Sequence, residues 1–138
     1  MRFRRVFAAL LAVVGGIALA TPAVAVDDPP APRLTCRYEY TVVNAWQGGY
    51  QVKLKVTNLG PERAAPWYVN FELDGPGIIA YLWGGSFTQL SVHVRVNAPS
   101  WNRDLYTGQY AEIEFAVNHN GSPLPLTGVS LNAVRCAA

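Results

Sequence analysis

Charge is scarce in this sequence. Lys and Arg number 11 and Asp and Glu nine among 138 residues, and the two signs nearly cancel. No basic stripe stands out, so the electrostatic footprint of a nucleic-acid binder is missing. Histidine occurs only twice, as His93 and His119, and no second ligand lies at a metal spacing from either. Neither a bound metal nor a cofactor is expected. No segment holds a helical period for long, which excludes a helical bundle. The one long apolar run, Val6 to Leu19, is too short to span a bilayer comfortably. No nucleophile elbow occurs: Ser86 follows Gly84-Gly85 without the G-x-S-x-G context.

That apolar run has another explanation. Arg2, Arg4 and Arg5 precede it, and Thr21-Pro22-Ala23-Val24-Ala25 ends it in small residues. This is the layout of a secretory signal peptide over residues 1–25, cleaved after Ala25. The leader carries three of the 11 basic residues and none of the nine acidic ones, leaving eight and nine, a net −1. The expected product is extracellular, monomeric and free of the membrane after cleavage. Residues 26–35, with Asp27-Asp28-Pro29-Pro30-Ala31-Pro32, read as a short Pro-rich lead-in. No catalytic domain or long linker accompanies it in this sequence. Cysteine occurs twice, as Cys36 and Cys136, near the two ends of what remains. Export permits a disulfide, and one cysteine at each end favours it.

Between the cysteines the pattern is strand, turn, strand. Tyr50, Val52, Leu54 and Val56 alternate with Gln51, Lys53, Lys55 and Thr57. Trp67, Val69, Phe71 and Leu73 alternate with Tyr68, Asn70 and Glu72, and Asp74-Gly75-Pro76-Gly77 ends that run. Ile78 to Trp83 reads as a short apolar strand. Leu90, Val92, Val94 and Val96 read as one further strand; Ala111, Ile113, Phe115 and Val117 as another; Val129 to Cys136 closes the chain. Seven or so short strands with one wet face each predict an all-β, antiparallel β-sandwich over residues 36–136, Ig-like or jelly-roll-like, tied by one terminal disulfide. Its inward set should include Val52, Leu54, Val56, Trp67, Val69, Phe71, Val94, Phe115 and Val117.

Three of the four tryptophans fall in polar, glycine-rich surroundings. Trp46 sits in Asn44-Ala45-Trp46-Gln47-Gly48-Gly49, Trp83 precedes Gly84-Gly85-Ser86, and Trp101 lies in Pro99-Ser100-Trp101-Asn102. Trp67 heads an alternating run and reads as core. A turn tryptophan can plug the open end of a sandwich, since Trp is buried on average. Three at once, beside strands that already supply a core, point to display. A flat indole covers the C–H face of a pyranose ring, and polar neighbours such as Asn44 and Asn102 can meet its hydroxyls. Glu112 and Glu114 share one strand face and are the only pair suggesting glycoside hydrolysis; the ordinary reading is a solvated face. Asn120-Gly121-Ser122 is a formal glycosylation sequon.

These residues resemble a family 2 carbohydrate-binding module. The likeness runs from Cys36 to Cys136. It includes Asn44-x-Trp46, Gly49-Tyr50, Val52-x-Leu54-x-Val56-x-Asn58-x-Gly60, Trp67, Trp83, Ala98-Pro99-Ser100-Trp101-Asn102, Gly108 and Leu131-Asn132. The resemblance implies a β-sandwich with its ends joined by a disulfide. It also implies noncatalytic binding to insoluble polysaccharide through coplanar surface tryptophans at Trp46, Trp83 and Trp101. Gly49, three residues after Trp46, implies a flat indole and the cellulose-binding type, with chitin or xylan as other ligands. Lys53 and Tyr81 stand where the cellulose binders tend to carry amides, so the polar rim differs. Two readings of other classes remain: a secreted Ig-like scaffold or small-ligand carrier with the tryptophans lining a pocket, and a minimal hydrolase using Glu112 and Glu114.

Overall fold

The computed structural model describes residue 16 and residues 35–138. The leader expected over 1–25 and the lead-in over 26–34 lie outside the described residues. Among the described residues there are nine strands. They are β1 (Cys36–Trp46), β2 (Gly49–Asn58), β3 (Tyr68–Leu73), β4 (Ile78–Trp83), β5 (Ser86–Leu90), β6 (His93–Asn97), β7 (Tyr110–Asn118), β8 (Leu126–Leu131) and β9 (Val134–Arg135). The first sheet has the order β1-β2-β7-β4 and the second β5-β6-β3-β8-β9. All strand pairs within them are antiparallel. No helix among these residues is long and apolar enough to cross a membrane.

The alternation decides which face each sheet buries. Tyr50, Val52, Leu54 and Val56 of β2 and Ala111, Ile113, Phe115 and Val117 of β7 point inward, against Val69, Phe71 and Leu73 of β3 and Val94 and Val96 of β6. Phe71 stacks on Phe115 across the gap, with centroids 5.2 Å apart. Every residue of the expected inward set is buried. Cys36 and Cys136 form the disulfide, closing a sequence separation of 100.

One run divides. The stretch read as a single strand around Leu90 and Val96 belongs to a hairpin of β5 and β6, with Ser91 at φ 55 in its turn. Leu90 is consequently exposed rather than inward. The last stretch also divides, where Asn132 and Ala133 take positive φ between β8 and β9.

At one end, Asn58 is wholly buried and fully satisfied. Its Nδ2 donates to the Glu62 and Leu105 carbonyls at 2.8 and 2.9 Å, and its Oδ1 accepts from the Gly60 amide at 3.0 Å. A buried amide so paired clamps two loops together instead of burdening the core.

Candidate functional site

The outer face of the first sheet is built by two irregularities. Even-numbered residues of β1 lead inward at first: Cys36 is buried, and Tyr38 and Tyr40 pack on the core. A bulge then falls between Val42 and Asn44. One extra residue reverses the parity of all that follow it. Asn44 therefore pairs with outward Gln51 and Trp46 with outward Gly49. In β4 a second bulge falls between Ile79 and Tyr81. Ile79 is buried, but past the bulge Tyr81 and Trp83 point outward, pairing with Ala116 and Glu114. Without these bulges Trp46 and Trp83 would follow Tyr40 and Ile79 into the interior. Both bulges sit on the edge strands of the same sheet.

Trp46 lies across Gly49. A Cβ on Gly49 would stand 2.9 Å from Trp46 Nε1 and 3.1 Å from Cε2, with the Val117 carbonyl at 2.7 Å. Only a residue without a side chain lets the ring settle there. Trp83 lies three strands away and four residues along β7, so the two Cα atoms are roughly 20 Å apart from strand spacing and rise. Tyr81 meets Trp83 edge-on, with centroids 4.5 Å apart and planes at 65°.

Trp101 belongs to a single 3-10 turn, Ser100–Asn102, that follows β6. The buried Trp67 secures this turn: its Nε1 donates to the Asn102 carbonyl at 2.5 Å, and its amide to Arg103 at 3.0 Å. Asn102 thus contributes its backbone to the core tryptophan. The turn after Trp83 packs against the same segment, since Gly85 leaves no room for a side chain beside the Asn97 carbonyl. The exposures separate the four rings: Trp46 is 43%, Trp83 52% and Trp101 81% accessible, and Trp67 1%. The three are not plugs.

Between the edge strands the face is charged. Lys53 Nζ lies 3.2 Å from Glu112 and 3.7 Å from Glu114. Glu112 above all holds the Lys53 ammonium in its charged form, raising its pKa. Glu112 and Glu114 do share a face, as the spacing requires, but they flank a lysine on an open sheet. Two concavities open on the surface of the described residues, and neither is lined by a tryptophan. The bulges were not legible in the sequence, because a strand with one extra residue reads like any other.

The model of the cellulose binding domain family matches residues 36–136. Endoglucanase CelA of Streptomyces lividans is 32% identical over 115 residues, covering 82% of this chain and 25% of that protein. Exoglucanase A of Cellulomonas fimi is 26% identical over 124 residues, covering 90% of this chain and 14% of that protein. The chain thus spans a quarter or less of the length of these relatives. The chitin-binding domain of Chi18aC from Streptomyces coelicolor has a TM-score of 0.60 at 20% identity, covering 74% of this chain and 94% of that chain; this likeness is one of fold. With a match that runs from one disulfide cysteine to the other, the chain belongs to the cellulose binding domain family.

Proposed function

We propose that the outer face of the first sheet, together with the Ser100–Asn102 turn, binds insoluble polysaccharide without catalysis, cellulose before chitin or xylan, with Trp46, Trp83 and Trp101 as the stacking rings. The observation that carries this reading is the pair of edge bulges. Each turns a large aromatic side chain out of a core it would otherwise join, and sequences rarely expose such rings without use. The flat seat of Trp46 on Gly49 suits a broad ligand. Asn44, beside Gln51 on the same face, supplies hydrogen bonds to sugar hydroxyls, and Asn102 extends that rim at Trp101. Lys53 pairs with Glu112 and Glu114, which act as a charged rim and not as a catalytic pair. The chain is taken to act as an exported monomer after cleavage of a leader over residues 1–25, and the disulfide is in keeping with export, since such bonds persist in oxidising surroundings. No cofactor takes part.

Depletion of the protein from solution by microcrystalline cellulose, chitin and insoluble xylan tests this. Trp46→Ala, Trp83→Ala and Trp101→Ala should each weaken binding to cellulose by about 1–3 kcal/mol, the range of aromatic anchors, with unchanged melting temperatures. Full retention of cellulose binding in all three variants would sink the proposal. A wild type that prefers chitin or xylan would keep the platform and replace the ligand.

A further inference from the structure

The second sheet turns its own outer face away from Trp46 and Trp83, and this face has a different chemistry. None of the exposed aromatic residues lies on its strands among the described residues. Register instead sets Thr88, Arg95, Asn70, Ser130 and Arg135 in one row across all five strands. A concavity opens on this row, walled by Thr88, Arg95, Asn70 and Gly128, with Glu72 and His93 at its side.

Arg95 is held in place. Its Cζ stands 4.1 Å from the centre of the Tyr68 ring, and its Nε donates to Asn97 Oδ1 at 3.2 Å. These contacts leave its two terminal nitrogens free to donate. Arg135 reaches toward the same concavity from β9. Gly128, at φ +63 in the β8 bulge, has no side chain, and Arg135 Nη2 lies 3.5 Å from where its Cβ would be. Neither guanidinium has a carboxylate within 4.0 Å among the described residues. Glu72, the nearby acid, is engaged by His93 Nδ1 at 3.0 Å.

We propose that this face is a second binding site, which takes the carboxylate of an acidic sugar in a uronate-bearing polysaccharide. The guanidinium fork matches a planar carboxylate, and a fork already fixed on a ring loses little freedom when it binds. The Asn70 amide and the Thr88 hydroxyl beside it match sugar hydroxyls. The row crosses four strand spacings, roughly 19 Å, which suits a chain running across the strands. Because Trp46 and Trp83 occupy the other sheet and Trp101 a turn beyond the end of β6, a neutral fibre and an acidic chain can be held at the same time, and the domain then links the two.

Titration calorimetry of the full chain with an oligogalacturonate tests this. A neutral oligosaccharide of equal length and a sulfated one serve as comparisons. The oligogalacturonate should bind, and the neutral one should not bind through this face. Arg95→Gln and Arg135→Gln should each weaken it about tenfold, the scale of one charge-assisted hydrogen bond. Arg95→Lys, which keeps the charge and removes the fork, should lose part of that. Raising salt from about 0.05 M to about 0.5 M should weaken it further. The combined Trp46→Ala, Trp83→Ala and Trp101→Ala variant should keep it, even as it loses cellulose. The proposal is overturned if the oligogalacturonate does not bind, if both glutamine variants bind it as the wild type does, or if the sulfated ligand alone binds. Loss of uronate binding in the tryptophan variant overturns it too, by assigning that ligand to the first sheet.

Discussion

The four tryptophans show how little residue type says about role. Trp67 bonds through its indole to the carbonyl of Asn102, the residue after Trp101, yet Trp67 is 1% and Trp101 81% accessible. Trp67 fills the interior and fixes the turn that displays its neighbour. Trp67→Ala should therefore destabilise by about 3–5 kcal/mol, read as a shifted urea midpoint. It should weaken cellulose binding as well, because the Ser100–Asn102 turn loses its anchor. Trp101→Ala should leave the urea midpoint where it is. If the two variants unfold at the same denaturant concentration, the division into core and displayed rings is wrong.

At the scale of strands, display depends on one residue in each edge strand. Inserting one alanine between Leu82 and Trp83 moves Trp83 from its place opposite Glu114 to one opposite Ile113. Trp83 would then face inward, where the packed core has no space for it. The insertion should lower the melting temperature and abolish the contribution of Trp83 to cellulose binding. Deleting Ala80, by contrast, removes the bulge but leaves Tyr81 opposite Ala116 and Trp83 opposite Glu114, so it should keep that contribution. An insertion variant that melts and binds as the wild type does would show that register does not set the direction of the ring. The sequence disclosed the sandwich, its inward residues and the identity of the three outward rings, because alternation and glycine-rich neighbours are local signals. It did not disclose how the rings come to face outward. Trp46 and Trp83 end strands instead of sitting in turns, and their direction depends on pairing partners far along the chain. The β5–β6 hairpin was hidden for a similar reason: Leu90-Ser91-Val92 contains no glycine, proline or asparagine to mark a turn. Nor did the run of Arg95 and Arg135 onto one row appear, since they are brought together only by the order of the second sheet.

For the whole molecule, the half-buried Tyr40 and the buried Tyr50 set an alkaline limit. The Tyr40 hydroxyl donates to the Leu124 carbonyl at 2.7 Å, and the Tyr50 hydroxyl is buried nearby. Burial first, and then the neighbouring Tyr50, pushes the Tyr40 hydroxyl well above the usual tyrosine range; burial pushes Tyr50 up as well. A raised pKa favours the neutral form in the folded state. Its contribution is complete below the unfolded value of about 10 and is lost as pH climbs through and above it. The melting temperature should be level up to about pH 9 and fall by about pH 11. Tyrosinate absorbance for these two groups should appear only with unfolding. Early, reversible ionisation of all seven tyrosines without loss of structure would contradict this.

The disulfide has a mechanical meaning as well. Cys36 and Cys136 bring the two ends of the sandwich to a Cα separation of 4.6 Å, at a sequence separation of 100. A pull applied to the two ends runs through this covalent link and leaves both sheets out of the load path. Tension between the two ends therefore cannot peel β1 from β2, and an end-to-end pull leaves the strands that carry Trp46 and Trp83 undisturbed for as long as the bond stays oxidised.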